Sequence, residues 1–263
     1  MALLSYCWRW LGTASSFMVF GIGGLILGTT ILPLIALSIR NPSQKLKIIR
    51  HIVGGAMRCF VFYMRWVGVL HYRVDGLHHV DPTQNYLILA NHPSLIDVIF
   101  LLAWFPTADC VIKGALLDNV FMRGLLRVAN YIPNTDPAEF IESSVTRLRN
   151  GHSIILFPEG TRTAPGGLLN FKAGAAVIAM RSGCQCLPVF IHCQPATLTK
   201  SDRWYHVPDR RVFLHLAVQE PLMPEVVTEQ GIDSRHAARH FNDYLEKYFS
   251  DGLQALIPVV DST

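Results

Sequence analysis

Two short segments hold the residue types and spacings that proton transfer and anion binding require. The first reads Asn91, His92, Pro93, Ser94, Leu95, Ile96, Asp97, so a carboxylate follows an imidazole after four intervening residues. Pro93 biases His92 away from helical backbone, which predicts an imidazole held at the end of the preceding strand. Ser94, with Asp97 three positions on, has the form of a capping box and predicts a helix opening at Ser94. The Asp97 carboxylate then lies on the first helical turn, beside the loop that holds His92. From there it accepts from one ring nitrogen and fixes the tautomer, leaving the other nitrogen to take a proton. Base and orienter without a paired nucleophile suggest direct attack by a substrate hydroxyl. The same pair has an inert reading, with Asp97 complementing the helix dipole and His92 satisfied by a carbonyl.

The second segment follows an apolar run, Ser153 to Phe157, and reads Pro158, Glu159, Gly160, Thr161, Arg162. Gly160 permits close backbone approach to a ligand. Arg162 presents a planar fork suited to bidentate phosphate binding. Gly166, Gly167, Lys172 and Gly174 continue this loop towards a helix, where backbone amides face an anion. The inert alternative is an ordinary turn closed by a Glu159–Arg162 ion pair.

Positioning these segments requires strands that end where they begin. Short apolar runs predict strands at Tyr86 to Ala90, Cys110 to Ile112, Ser153 to Phe157, Leu187 to His192 and Val212 to Val218. Helical periodicity predicts helices from Ser94 to about Phe105, Val120 to Ala129, Pro137 to Arg149, Lys172 to Ser182, and Ser234 to Phe249. Alternating strands and helices imply an α/β fold with a largely parallel central sheet flanked by helices. In such sheets the sites lie beyond the carboxyl ends of strands, where both segments stand.

The 263 residues suit one such domain plus an appendage. Hydrophobic residues make up 51% and charged ones 16%, against roughly 25% charged in a typical soluble domain. No charged residue occurs from Trp10 to Ile39, a run longer than the roughly 20 residues that span a bilayer. It exceeds the apolar core of a signal peptide, so a retained N-terminal membrane-anchoring helical segment is expected. Pro33 and the cluster Gly21, Gly23, Gly24, Gly28 leave open a bent or re-entrant path. Arg40, Lys45, Lys47 and Arg50 follow the run and only Arg9 precedes it, which places the remainder on the cytoplasmic side. His51 to Leu70, with Arg58 and Arg65 near one face, reads as a basic amphipathic helix in the headgroup region. A core helix with two snorkelling arginines is the alternative. Residues 1–70 thus form a membrane segment with an amphipathic helix, and 71–263 the α/β domain.

The net charge of +4 is mild and clusters beside the apolar segments, which suits anionic lipid. No basic-aromatic patch points to nucleic acid. The six cysteines lack a framework spacing and are expected as reduced thiols. Cys184, Cys186, His192 and Cys193 depart from zinc-site spacing and read as buried small residues, so no metal is expected.

NHPSLID followed about 60 residues later by FPEGTR resembles the first and third blocks of the glycerolipid (lysophosphatidate-type) acyltransferase family. LLNFKAG and the segment Leu187 to Val189 resemble its continuation, so the likeness runs over roughly residues 70 to 220. The resemblance implies His92 as general base towards a lipid hydroxyl and Asp97 as its orienter. It also implies Glu159, Gly160, Thr161 and Arg162 as the acceptor site, with Lys113 assisting a phosphate. The donor would be acyl-CoA or an acyl-carrier protein, the acceptor a lysophospholipid or related lipid hydroxyl. No cofactor or metal is required. The expected location is a bilayer, a bacterial inner membrane with the catalytic domain on the cytoplasmic side. One departure stands out: VANYIPNTDP places Asp136 near the position of the family's second-block arginine. Either Arg123, Arg127 or Lys113 compensates, or the acceptor is another lyso-lipid, such as an amino-acid lipid, or a hydroxylated acyl chain. A lipid acyl hydrolase and a non-catalytic lipid-binding scaffold on the same fold are the competing functions.

Overall fold

The computed structural model describes residues 2–224 and 234–260. Seven strands form the sheet: β1 (Leu70–Asp75), β2 (Leu87–Ala90), β3 (Asp109–Lys113), β4 (Ile132–Asn134), β5 (Ile154–Leu156), β6 (Cys186–Gln194) and β7 (Val212–Val218). Their order is β1-β7-β6-β2-β5-β3-β4. Neighbours run parallel except β6 and β7, so β1 and β7 run against the rest. The largely parallel α/β sheet expected from the alternation of elements is the one observed.

Every residue of β2 is buried, because helices cover both faces of the sheet. Ile88 and Ala90 point into one layer, and Leu87 and Leu89 into the other. The first layer is built by α3 (Pro42–Val67), α4 (Asp97–Trp104) and α5 (Arg123–Val128); the second by α6 (Pro137–Arg149), α7 (Gly174–Ser182) and α8 (Ser234–Val260). The period-2 alternation of a strand therefore divides a uniformly apolar run between two cores.

Several boundaries moved for identifiable reasons. Helix α4 starts at Asp97 and not at Ser94, because Ser94 to Ile96 form a turn. Within it the Ser94 N–H donates to Asp97 Oδ2 at 2.7 Å, so only the returning half of the capping box forms. Helix α5 is shorter than its periodic pattern, because Asn119 Oδ1 accepts from the Phe121 N–H and shapes a turn before it. Strand β1 was not read from sequence; its polar His71 and Arg73 interrupt the apolar signal, and pairing with β7 makes the strand. Likewise β4, of three residues, exists through its ladder with β3.

The N-terminal run forms α1 (Ala2–Ile26), a π-helical turn (Leu27–Ile31) and α2 (Leu32–Ser38). Leu4–Ser38, 35 residues, is long and apolar enough to cross a membrane by length and composition. It lies along the domain: the Trp8 indole N–H donates to the Val67 carbonyl at 2.8 Å, and Gly28 meets Gly124 backbone to backbone. A Cβ on Gly124 would sit 2.7 Å from the Gly28 carbonyl oxygen, so both positions require glycine. Helix α3 buries Ile49, Val53, Met57 and Val61 in the core shared with α4, and Arg58 donates to the Ala103 carbonyl. One side of the helix thus packs into the core and buries Arg50, while Arg58, Phe62, Arg65 and Trp66 stay exposed.

Candidate active site

The carboxyl ends of β2 and β5 are neighbours in parallel register, with Leu87 opposite Ile154 and Leu89 opposite Leu156. Continuing that register three residues past the Leu89–Leu156 pair brings His92 opposite Glu159. The two meet as the register requires: the His92 backbone N–H donates to Glu159 Oε1 at 3.2 Å. Thr163 closes the junction, its N–H donating to the His92 carbonyl at 2.8 Å and its hydroxyl donating to Glu159 Oε1 at 2.6 Å. On the other side, the Asn91 amide donates to the Ile191 carbonyl and accepts the Ile191 N–H, both at 2.8 Å. A side chain there imitates one more residue of the ladder, so the loop holding His92 is bound to β5 and to β6.

The ring of His92 is fixed by two further contacts. Its Nδ1 lies 2.9 Å from Asp97 Oδ2, and its face stacks on Phe157 with centroids 4.1 Å apart. Asp97 is fully buried, and that burial pushes its carboxyl up from the usual range. The imidazole bond, the imidazole charge, the Ser94 N–H and the charge of Arg162 act in the opposite direction. Burial also raises Glu159, opposed by the Thr163 hydroxyl and the His92 N–H. With Nδ1 turned to Asp97, the Nε2 edge of the ring remains for a substrate proton.

His92 lines a cavity of about 910 Å³. Lys113, Gly160, Thr161 and Arg162 line it with His92, so five of the seven residues singled out from sequence share one chamber. Asp97 and Glu159 stand behind its wall and hold His92. Gly160 has φ +65°, which side-chain-bearing residues rarely adopt, and a Cβ there would press on the end of Lys172, 3.0 Å away. Arg162 forms no ion pair with Glu159; its Nη1 donates to the Leu198 and Thr199 carbonyls at 2.7 and 2.8 Å, anchoring the chain after β6. The far walls are apolar, from Phe17 and Phe20 of α1, Met57 and Phe60 of α3, and Leu125 of α5.

Asp136 is outside the chamber. It is exposed and caps α6, accepting the Glu139 N–H at 2.8 Å. Asp136, although near the sequence position of the family's second-block arginine, does not line the cavity. Of the cations weighed as replacements, Lys113 lines the cavity, whereas Arg123 and Arg127 do not. Sequence reading missed the parts played by Asn91, Phe157 and Thr163. Thr163 carried no local signal, since its partners lie 71 and 4 residues away.

Residues 71–192 match the family model described as Acyltransferase, a segment containing both motif blocks. The 1-acyl-sn-glycerol-3-phosphate acyltransferase alpha of Mus musculus is 24% identical over 180 residues, covering 66% of this chain and 61% of that one. The 1-acyl-sn-glycerol-3-phosphate acyltransferase of Pseudomonas aeruginosa is 27% identical over 146 residues, 53% of this chain and 56% of its own. The chain spans about three fifths of the length of the mammalian relatives. The crystal structure of the 1-acyl-sn-glycerophosphate (LPA) acyltransferase PlsC from Thermotoga maritima superposes with a TM-score of 0.73 at 20% identity, covering 97% of this chain and 98% of that one, and so shares the fold. Residues 71–192, whose two motif blocks close around one chamber, carry the likeness to the acyltransferase family.

Proposed function

We propose that this protein transfers a fatty acyl group from a thioester donor to the hydroxyl of a lysophospholipid, with lysophosphatidate-type lipids as the acceptor class. The observation that carries this reading is the His92–Asp97 pair, 2.9 Å apart, opening onto a chamber that is cationic at one side and apolar beyond. The names of the relatives, which are 1-acyl-sn-glycerol-3-phosphate acyltransferases, support it.

In this mechanism His92 Nε2 takes the proton of the acceptor hydroxyl as its oxygen attacks the thioester carbonyl. The tetrahedral intermediate collapses with cleavage of the carbon–sulfur bond, and the departing thiolate receives the proton from the imidazolium. Asp97 orients the ring and stabilises the imidazolium charge. General-base action of this kind contributes about 10²–10⁴-fold, and holding both substrates together contributes more. Lys113 and the unengaged edge of Arg162 take the acceptor phosphate, while Gly160 and Thr161 let its backbone approach. Because Asp136 faces solvent, the local charge favours an anionic acceptor. The apolar walls take the acyl chains. The donor is acyl-CoA or acyl-carrier protein, since both present the same thioester. The Leu4–Ser38 run seats the protein on a bilayer, in our reading a bacterial inner membrane with the chamber on the cytoplasmic side.

The test is incubation of the purified chain with labelled acyl thioester, with and without lysophosphatidate, and lipid mass spectrometry of the products. Acceptor-dependent formation of diacylated lipid is expected. Thioester hydrolysis at the same rate without acceptor would replace transfer with hydrolysis.

A further inference from the structure

Four of the five tryptophans are exposed, against the usual preference for burying so large an apolar ring. Trp104 is the exception, packed against Tyr72 and Phe100. The other four come from three separate stretches of chain: Trp8 and Trp10 on α1, Trp66 at the end of α3, and Trp204 in the loop between β6 and β7. Tertiary contacts bring them to one end of the N-terminal helices. The Trp8 indole donates to the carbonyl of Val67, next to Trp66. Arg9, between Trp8 and Trp10, donates to the Pro208 and Asp209 carbonyls of the loop. Trp204 itself packs edge-on against Phe17 of α1, centroids 5.8 Å apart.

The loop is also basic. Lys200, Arg203, Arg210 and Arg211 stand against Asp202 and Asp209, and Asp202 is occupied with the Thr199 N–H. Lys200, Arg203, Trp204, Tyr205 and Arg210 are all exposed. Arg203 donates to the Tyr205 hydroxyl, so cation and aromatic ring are presented together. Exposed Trp and Tyr beside Lys and Arg are the composition of a headgroup-level belt on an anionic leaflet. The outer side of α1 continues from this belt with exposed Met18, Val19, Ile22 and Ile26, a surface for the acyl layer.

We infer that residues 199–211 of the α/β domain form a second membrane contact, docking on anionic phospholipid headgroups at the level of Trp8, Trp10, Trp66 and Trp204. The inference rests on the membrane seating proposed above and adds a contact outside the N-terminal run. Its consequence is positional. His206, Val207, Pro208 and Arg210 of the same loop line the cavity, so docking holds the chamber mouth at the lipid surface.

The test uses the full chain with Trp8, Trp10, Trp66 and Trp104 replaced by Phe, bound to vesicles of phosphatidylcholine with or without phosphatidylglycerol. Quenching of Trp204 by chain-brominated lipid and protection from acrylamide are expected, greater when phosphatidylglycerol is present. Lys200→Ala with Arg203→Ala should lower that quenching about twofold or more on phosphatidylglycerol vesicles only. A companion chain keeping only Trp10 reports on α1. If Trp10 is quenched and Trp204 stays open to acrylamide, the loop faces water and the inference fails while seating by α1 stands. If neither is quenched, both readings fall. Equal quenching on both vesicle types, unchanged by the double alanine variant, overturns headgroup recognition. Trp204→Phe alone in the native chain checks the result without the fourfold replacement, because it should remove a lipid-quenched component.

Discussion

Two fully buried carboxylates mark opposite ends of the sheet, and their partners separate chemistry from structure. Asp97, beyond the carboxyl end of β2, accepts from an imidazole and from one backbone N–H. Asp109, at the amino end of β3, is bound by the guanidinium of buried Arg50 and by Arg147 at 2.6 Å, with His152 3.5 Å from its other oxygen. Both arginines also donate to backbone carbonyls, Arg50 to Ala129 and Thr107, and Arg147 to Asn130. A guanidinium does not release its proton, so the Asp109 cluster clamps α3 and α6 to β3. An imidazole can take up and release a proton, so in the proposed mechanism the same carboxylate chemistry at Asp97 serves a base. Burial makes each carboxylate dependent on its partner; the partner decides what the pair does.

Predictions follow from that contrast. His92→Ala should lower turnover by about 10²–10⁴-fold or more, with thermal unfolding unchanged; acyl transfer assays and calorimetry on one preparation check both. Near-normal rates would remove His92 from the mechanism. Asp97→Asn should lower turnover by a similar order while the protein still folds. Its amide, facing His92, would donate to Nδ1 and place the ring proton on Nε2, where the base must be free. A ring-nitrogen NMR spectrum showing the proton still on Nδ1 would contradict this account.

At the other end of the sheet the effect should be on stability. Asp109→Ala leaves Arg50 buried and unpaired, which costs about 3–5 kcal/mol; denaturant unfolding should show the loss, and a stable variant with impaired turnover would invert the comparison. A smaller effect is expected where the π-helical turn after α1 meets α5. Gly124→Ala drives a methyl into the Gly28 carbonyl, an overpacking cost of about 1–3 kcal/mol. Faster proteolysis of α1, with the sheet's unfolding little altered, is the expected readout.

Read in the chain alone, the elements and the two motif blocks were plain wherever the signal is local. Helix α6 and strand β7 have the bounds that periodicity and end signals predict, and His92 and Asp97 lie near enough in sequence for one turn to bring them together. Tertiary structure decided the rest, because the deciding contacts cross long stretches of chain. Asn91 meets Ile191 at a separation of 100 residues, and His92 meets Glu159 at 67. Only strand register brings such pairs together, so Thr163 and Asn91 looked like ordinary loop residues in sequence. Asp136 looked like an intruder in a phosphate site for the same reason: its distance from the chamber is set by where β4 and α6 pack. The walls of that chamber, drawn from α1, α3, α5 and the β6–β7 loop, exist only once burial of their apolar faces has closed the layers around the sheet.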